Sequence, residues 1–167
     1  MLMASERLEG GAGRPNRSSG EISATAKRAA LRLAREFGVA LDDVIVDVSV
    51  SAVIVDTAGL NRAALDAIRE IGTDPDLKGI HISGGITNIG QQMPAKAGDG
   101  SDLKRQLECA YITLAAPLGL DTVLATPWHG LYALPEGNFV LEIFRRVLEL
   151  KSSDALREVR KLYRKQA

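Results

Sequence analysis

The chain has 167 residues, 46% of them hydrophobic and 25% charged, the make-up of an ordinary globular domain. Its 21 basic and 21 acidic residues cancel, which argues against a surface built for nucleic acid or an anionic membrane, and no apolar run of about 18 residues is there to span a bilayer. A single cysteine, Cys109, excludes an internal disulfide and fits a reducing, cytoplasmic setting, while the opening Met1-Leu2-Met3-Ala4-Ser5-Glu6-Arg7 turns polar too soon for a secretory leader.

Met1 to Ala4 reads as a short strand, and the glycine-rich stretch from Leu8 to Gly20 as a long loop. Ile22, Ala26, Ala29, Ala30, Leu33 and Phe37 fall at three- and four-residue steps, which predicts a helix closed by Gly38. Val44-Ile45-Val46-Asp47-Val48 is a β-branched run of the kind found in a strand buried on both faces. A second helix is expected over Leu60 to Ile71 with Gly72 as its stop, a second strand over Gly79 to Ser83, and a loop from Gly84 to Gly100. A third helix, Asp102 to Leu118, takes Ser101 as its cap, and Thr122 to Ala125 is a third strand. Asn138 and Ser153 cap two closing helices, to about Leu150 and Tyr163. Strands alternating with helices imply a parallel α/β sheet with right-handed crossovers, with residues 1–20 as strand and loop, 21–150 as βα units and 151–167 as a C-terminal helix.

In such folds ligands bind in the loops that leave the carboxyl ends of the strands. Those loops are long here, and the connections from helix to strand are short. Asp47 interrupts an apolar strand near its ligand-facing end. It either caps a neighbouring loop or accepts hydrogen bonds from a ligand with paired N–H groups. Ser83-Gly84-Gly85-Ile86-Thr87-Asn88-Ile89-Gly90-Gln91-Gln92-Met93-Pro94 follows a strand; Gly84 and Gly85 let backbone approach a ligand closely, and the amides of Asn88, Gln91 and Gln92 suit a neutral polar heterocycle better than a bare phosphate. The string lacks the spacing of a P-loop or a dinucleotide fingerprint. Thr126-Pro127-Trp128-His129-Gly130 follows another strand end and adds Thr126 and His129 to the candidate pocket. His81, inside a strand, reads as a structural histidine. Two histidines and one cysteine at no ligand spacing give no metal site, and no Ser-His-Asp or Cys-His pair assembles. The C-terminal Arg157, Arg160, Lys161, Arg164 and Lys165 read as a solvated helix face.

The segment Gly84 to Pro94 resembles the Gly-(Leu/Ile)-Ser-Asn-(Ile/Val)-Ser block of pterin-binding methyltransferases, the methyltetrahydrofolate:corrinoid enzymes and the similar domain of cobalamin-dependent methionine synthase. Ile45-Val46-Asp47-Val48-Ser49 is similar to their upstream Tyr-Ile-Asp-Pro-Leu strand. Tyr111 to Ala115 with Gly119 to Leu124 is similar to their downstream aromatic-Leu-x-Met-Ala and Gly-Leu-Asp blocks. The chain departs at Gln92-Met93-Pro94-Ala95-Lys96, where the family commonly has Gly-Leu-Pro-x-Arg, and at Thr126-Pro127, where it has Asp-Pro. The Arg-x-His of the related dihydropteroate synthases is missing between Leu124 and Gly130.

The resemblance implies the C-terminal part of a TIM (β/α)8 barrel of the pterin-binding type. It implies methyl transfer from an N5-methylated tetrahydrofolate or related tetrahydropterin to the cobalt of a cobalamin or other corrinoid, carried on a partner corrinoid protein. Asp47 then binds the pterin ring, Asn88 approaches the methyl-bearing nitrogen and Gln91 is a pocket amide. A closed barrel takes about 250 residues, and this chain offers at most four strands. The expected completion is an N-terminal half-barrel chain or a second copy; the alternatives are a non-catalytic pterin-binding or partner subunit, or a fragment of a dihydropteroate synthase-like enzyme.

Overall fold

The computed structural model describes residues 1–164, so Lys165 of the basic C-terminal set lies outside the described residues. Contacts divide the chain into two units: Met1–Ser49, Ala63–Gly85 and Ala115–Leu124 form the first, and Val50–Arg62, Ile86–Leu114 and the chain from Ala125 onward form the second.

The first unit is built on a parallel sheet of β1 (Leu2–Met3), β4 (Ile45–Asp47), β5 (His81–Gly85) and β6 (Thr122–Leu124), in that spatial order. Val44, Val46, Val48 and Ile82 are buried on or beside its central strands, as their β-branched, apolar sequence requires. The outer strands are open: Met3 on β1 is 57% exposed, and Val123 and Leu124 on β6 are 40% and 48% exposed.

Helix α1 (Ser19–Phe37) starts three residues earlier than its apolar spacing suggests because Ser18 and Glu21 form a reciprocal capping box, and it ends at Gly38 in the left-handed conformation. Its inward stripe is Ile22, Thr25, Ala26 and Ala30, whereas Phe37 is exposed. The stretch expected to be a loop before α1 is instead an antiparallel hairpin, β2 (Glu6–Glu9) with β3 (Ala12–Pro15). Gly10 and Gly11, both at positive φ, make its two-residue turn, a geometry that only such a pair takes without strain. Buried Asn16 anchors the hairpin by donating to the Ala4 carbonyl and to Thr25 Oγ1.

Helix α2 (Leu60–Thr73) runs through Gly72 rather than stopping there. A Cβ at Gly72 would lie 3.0 Å from the Leu118 carbonyl oxygen, so this glycine serves close packing within the first unit and not helix termination. The strand expected over Gly79 to Ser83 is shifted to His81–Gly85, which puts Gly84 and Gly85 in the ladder opposite Val123 and Leu124.

The second unit contributes the N-terminal cap of α2, where both oxygens of Asp56 accept backbone N–H groups, from Leu60 and Asn61. Helix α3 (Leu103–Ala115) is shorter than expected, its last turn tightening into a 3-10 turn at Ala116–Leu118. Asp102, not Ser101, caps it by accepting the Arg105 N–H. Asn138 caps α4 (Phe139–Leu148) through the N–H groups of Val140 and Leu141. Helix α5 (Ser152–Lys161) begins one residue before the expected Ser153 cap, with Lys151 at the N-cap and no side-chain bond there. Tyr111 of α3 and Phe144 of α4, both fully buried, meet with ring centroids 6.5 Å apart. Among the described residues no helix is long and apolar enough to cross a membrane.

Gly98 receives the chain's last described turn, donating its N–H to the Leu162 carbonyl. A Cβ there would run into the backbone oxygen of Arg164. Gly98→Ala is therefore expected to destabilise the protein by about 1–3 kcal/mol, the usual cost of overpacking, read as a lower denaturant midpoint at unchanged slope.

Candidate functional site

Parallel pairing sets Met3 opposite Asp47, Asp47 opposite Ser83, and Ser83 opposite Thr122. Residues paired this way project from the same face of a sheet. Asp47 and Ser83 are thus adjacent polar side chains on one face of two apolar strands, at 4% and 0% exposure. Asp47 Oδ1 accepts the Ser49 N–H at 2.8 Å, a turn in which Ser49 takes the left-handed conformation. Its loop-capping and ligand-accepting readings are thus divided between two oxygens, since Oδ2 accepts no hydrogen bond among the described residues. The Ser83 hydroxyl is buried without a partner. Leaving such groups unpaired costs about 1–3 kcal/mol each.

The sequence pattern gives Ser83 no role. The signal that finds it is a hydroxyl in the middle of Ile82-Ser83-Gly84, in a ladder where its neighbour across the sheet is a carboxylate.

The chain re-enters the second unit at Ile86–Gly90, a 3-10 turn that carries Asn88. Asn88 is half-buried and its Oδ1 accepts from Gln91 Nε2 at 2.7 Å. Gln91 thereby fixes the orientation of the Asn88 amide and leaves its NH2 as a free donor. Gly90 lies against the first turn of α3, where a Cβ would meet Lys104 at 3.2 Å. Thr126 precedes the 3-10 turn Pro127–His129. His129 Nδ1 is 2.9 Å from Glu108 Oε2 on α3, and the Glu108 side chain is 3% exposed. The segment beyond it is strapped along the same helix: Arg105 donates to the Gly130 carbonyl and stacks over the Tyr132 ring, Gln106 donates to the Tyr132 hydroxyl, and the Leu134 N–H donates to Thr113 Oγ1. Trp128 is 85% exposed at the tip.

Asn88, Gln91, Thr126 and His129 thus belong to the second unit, and Asp47, Gly84 and Gly85 to the first; Asn88 is bonded to Gln91 and His129 to Glu108. Among the described residues no group of three or more His, Cys, Asp or Glu side chains is placed to hold a metal ion. No protein-family model matches the chain, and no curated protein matches it.

His81 Nδ1 lies 2.7 Å from Asp121 Oδ2, while Asp121 Oδ1 accepts the Ile82 N–H. Partial burial pushes the Asp121 carboxyl up, but the bonds from His81, the Ile82 N–H and Thr122 outweigh it and hold the group below the ordinary aspartate value of 3.8. A carboxyl lowered by folding stabilises the fold above its unfolded value and loses that contribution as pH falls through the folded one. Asp121→Asn should therefore lower stability near neutral pH by under about 1 kcal/mol, since the pair is half exposed. The difference from the parent should shrink once pH falls below about 4, as followed by thermal melts across the acid range.

Proposed function

We propose that the chain is the C-terminal part of a pterin-binding barrel that transfers a methyl group from an N5-methylated tetrahydropterin to the cobalt of a corrinoid carried by another protein. The observation that carries the reading is Asp47: a 4%-exposed carboxylate at the carboxyl end of a parallel strand, with one oxygen spent on Ser49 and the other unclaimed. The pyrimidine edge of a pterin presents an amino group beside a ring N–H, donors that a carboxylate accepts well, at roughly 1.5–3 kcal/mol for each charge-assisted bond. Asn88, with its NH2 left free by Gln91, takes the methyl-bearing nitrogen. Bonding to that nitrogen which strengthens as the C–N bond breaks accelerates transfer.

Four strands do not close a small barrel. The exposed Met3, Val123 and Leu124 on the two outer strands support completion by further strands, from an N-terminal half-barrel chain or a second copy. The same open sheet favours the second reading, a pterin-binding subunit that is inactive until completed.

Titration with methyltetrahydrofolate, followed by Trp128 fluorescence, tests the assignment. Asp47→Asn should weaken binding by at least about tenfold, the loss of one charge-assisted bond. Absence of binding by the parent chain at millimolar ligand rejects the pterin reading for the chain alone. Asn88→Ala should slow methyl transfer more than it weakens binding, and an equal loss in both would make Asn88 a simple binding residue.

A further inference from the structure

We propose that His129, held by Glu108, is the proton donor to the methyl-bearing nitrogen. The inference rests on the pterin reading above and adds a residue to it. Glu108 is one of the few buried acids in the chain, and among the described residues the only hydrogen-bond partner of its carboxylate is His129. A carboxylate so buried is costly unless a cation or donor meets it. With Glu108 ionised, the 2.9 Å bond requires hydrogen on Nδ1, which fixes the ring and leaves Nε2 as the working nitrogen. Nε2 makes no bond among the described residues, and the His129 side chain is 34% exposed, so it meets both solvent and a ligand. This is the arrangement of a general acid positioned by a carboxylate: Glu108 positions, His129 transfers.

Its place in the second unit matches the task. Gly90, two residues beyond Asn88, packs on Lys104, and Glu108 lies one helical turn further along α3, on the same side as Lys104. The Asn88 turn and the His129 turn therefore share the first two turns of one helix as their platform. The charged groups that meet the His129 segment come from that helix: Glu108 at the ring and Arg105 at the Gly130 carbonyl.

The leaving nitrogen needs a proton because an unprotonated amine anion is too poor a leaving group. In the step, the Asn88 NH2, which donates to the neutral nitrogen, yields that nitrogen's single lone pair; the Nε2–H bond of the His129 imidazolium breaks and an N–H bond forms at the pterin nitrogen. The C–N bond then breaks with its electron pair staying on that nitrogen, and the methyl group goes to the reduced cobalt(I) of the corrinoid substrate. His129 is left neutral and is reprotonated by water.

Calorimetric titration of methyltetrahydrofolate into the full chain, in buffers of different ionisation enthalpy from mildly acidic to neutral pH, counts protons taken up on binding. The parent should take up a proton and His129→Gln should not. In a transfer assay with a cobalt(I) corrinoid, His129→Gln should lower kcat about 100-fold while KM for the pterin moves less than about threefold. Glu108→Gln, which keeps the histidine, should shift the pH profile, and Glu108→Asp should restore part of it. Equal proton uptake in the parent and His129→Gln, or an unchanged kcat, would overturn the assignment. If the parent binds no pterin, the functional reading itself fails in that control, before any variant is compared.

Discussion

The pairing of β4 with β5 is the constraint on which the rest depends. Its register brings Asp47 level with Ser83, so a carboxylate and a hydroxyl stand side by side where every other consideration favours valine or isoleucine. Apolar neighbours such as Val46 and Ile82 make the strands cohere. Those same neighbours deprive the polar pair of water, and low local polarity strengthens any bond the pair makes while raising the cost of leaving it unmade. A slip of the ladder by one residue would turn Asp47 to the opposite face. The turn that follows β4 opposes such a slip, because Asp47 and the left-handed Ser49 are already locked together.

In the second unit the corresponding constraint is α3. Its first two turns hold Gly90 on one side, and its Arg105 and Glu108 hold Gly130 and His129. Loops of this kind need a rigid support because their own backbones have few internal bonds. Here the support comes from one helix whose core face, Leu103, Leu107, Ala110 and Tyr111, is fully buried. Burial of one face and strapping on another leave little freedom for the side chains between them.

Much of this was legible in the sequence. The alternating elements, the apolar strand around Val46, the Gly38 and Asn138 caps and the parallel α/β class follow from periodicity and cap chemistry, and the structure has them all. The Gly10-Gly11 hairpin was hidden because its strands, Glu6–Glu9 and Ala12–Pro15, are polar and exposed and so show no burial pattern. Gly72 misled because a glycine that ends a helix and one that lets a helix pack closely look alike in one dimension. Of the candidate site, Asp47 and Asn88 stand out as polar residues in telling local contexts. Ser83 and Glu108 do not, since their meaning comes from partners 36 and 21 positions away in the chain. Only the ladder register and the fold of the loop onto α3 reveal those partnerships.

The open flanks of the sheet carry a consequence for how the protein behaves at high concentration. An uncovered strand edge is a template for other chains, and long flat edges seed indefinite stacking. Here the flanking strands, Leu2–Met3 and Thr122–Leu124, are two and three residues long. They offer too few backbone groups to propagate a fibril, yet they present Met3, Val123 and Leu124 to whatever docks. Such an edge rewards a partner with matching apolar side chains and gives little to an arbitrary strand. Brevity thus discriminates between assembly and aggregation without spending a single charged residue on the edge strands themselves.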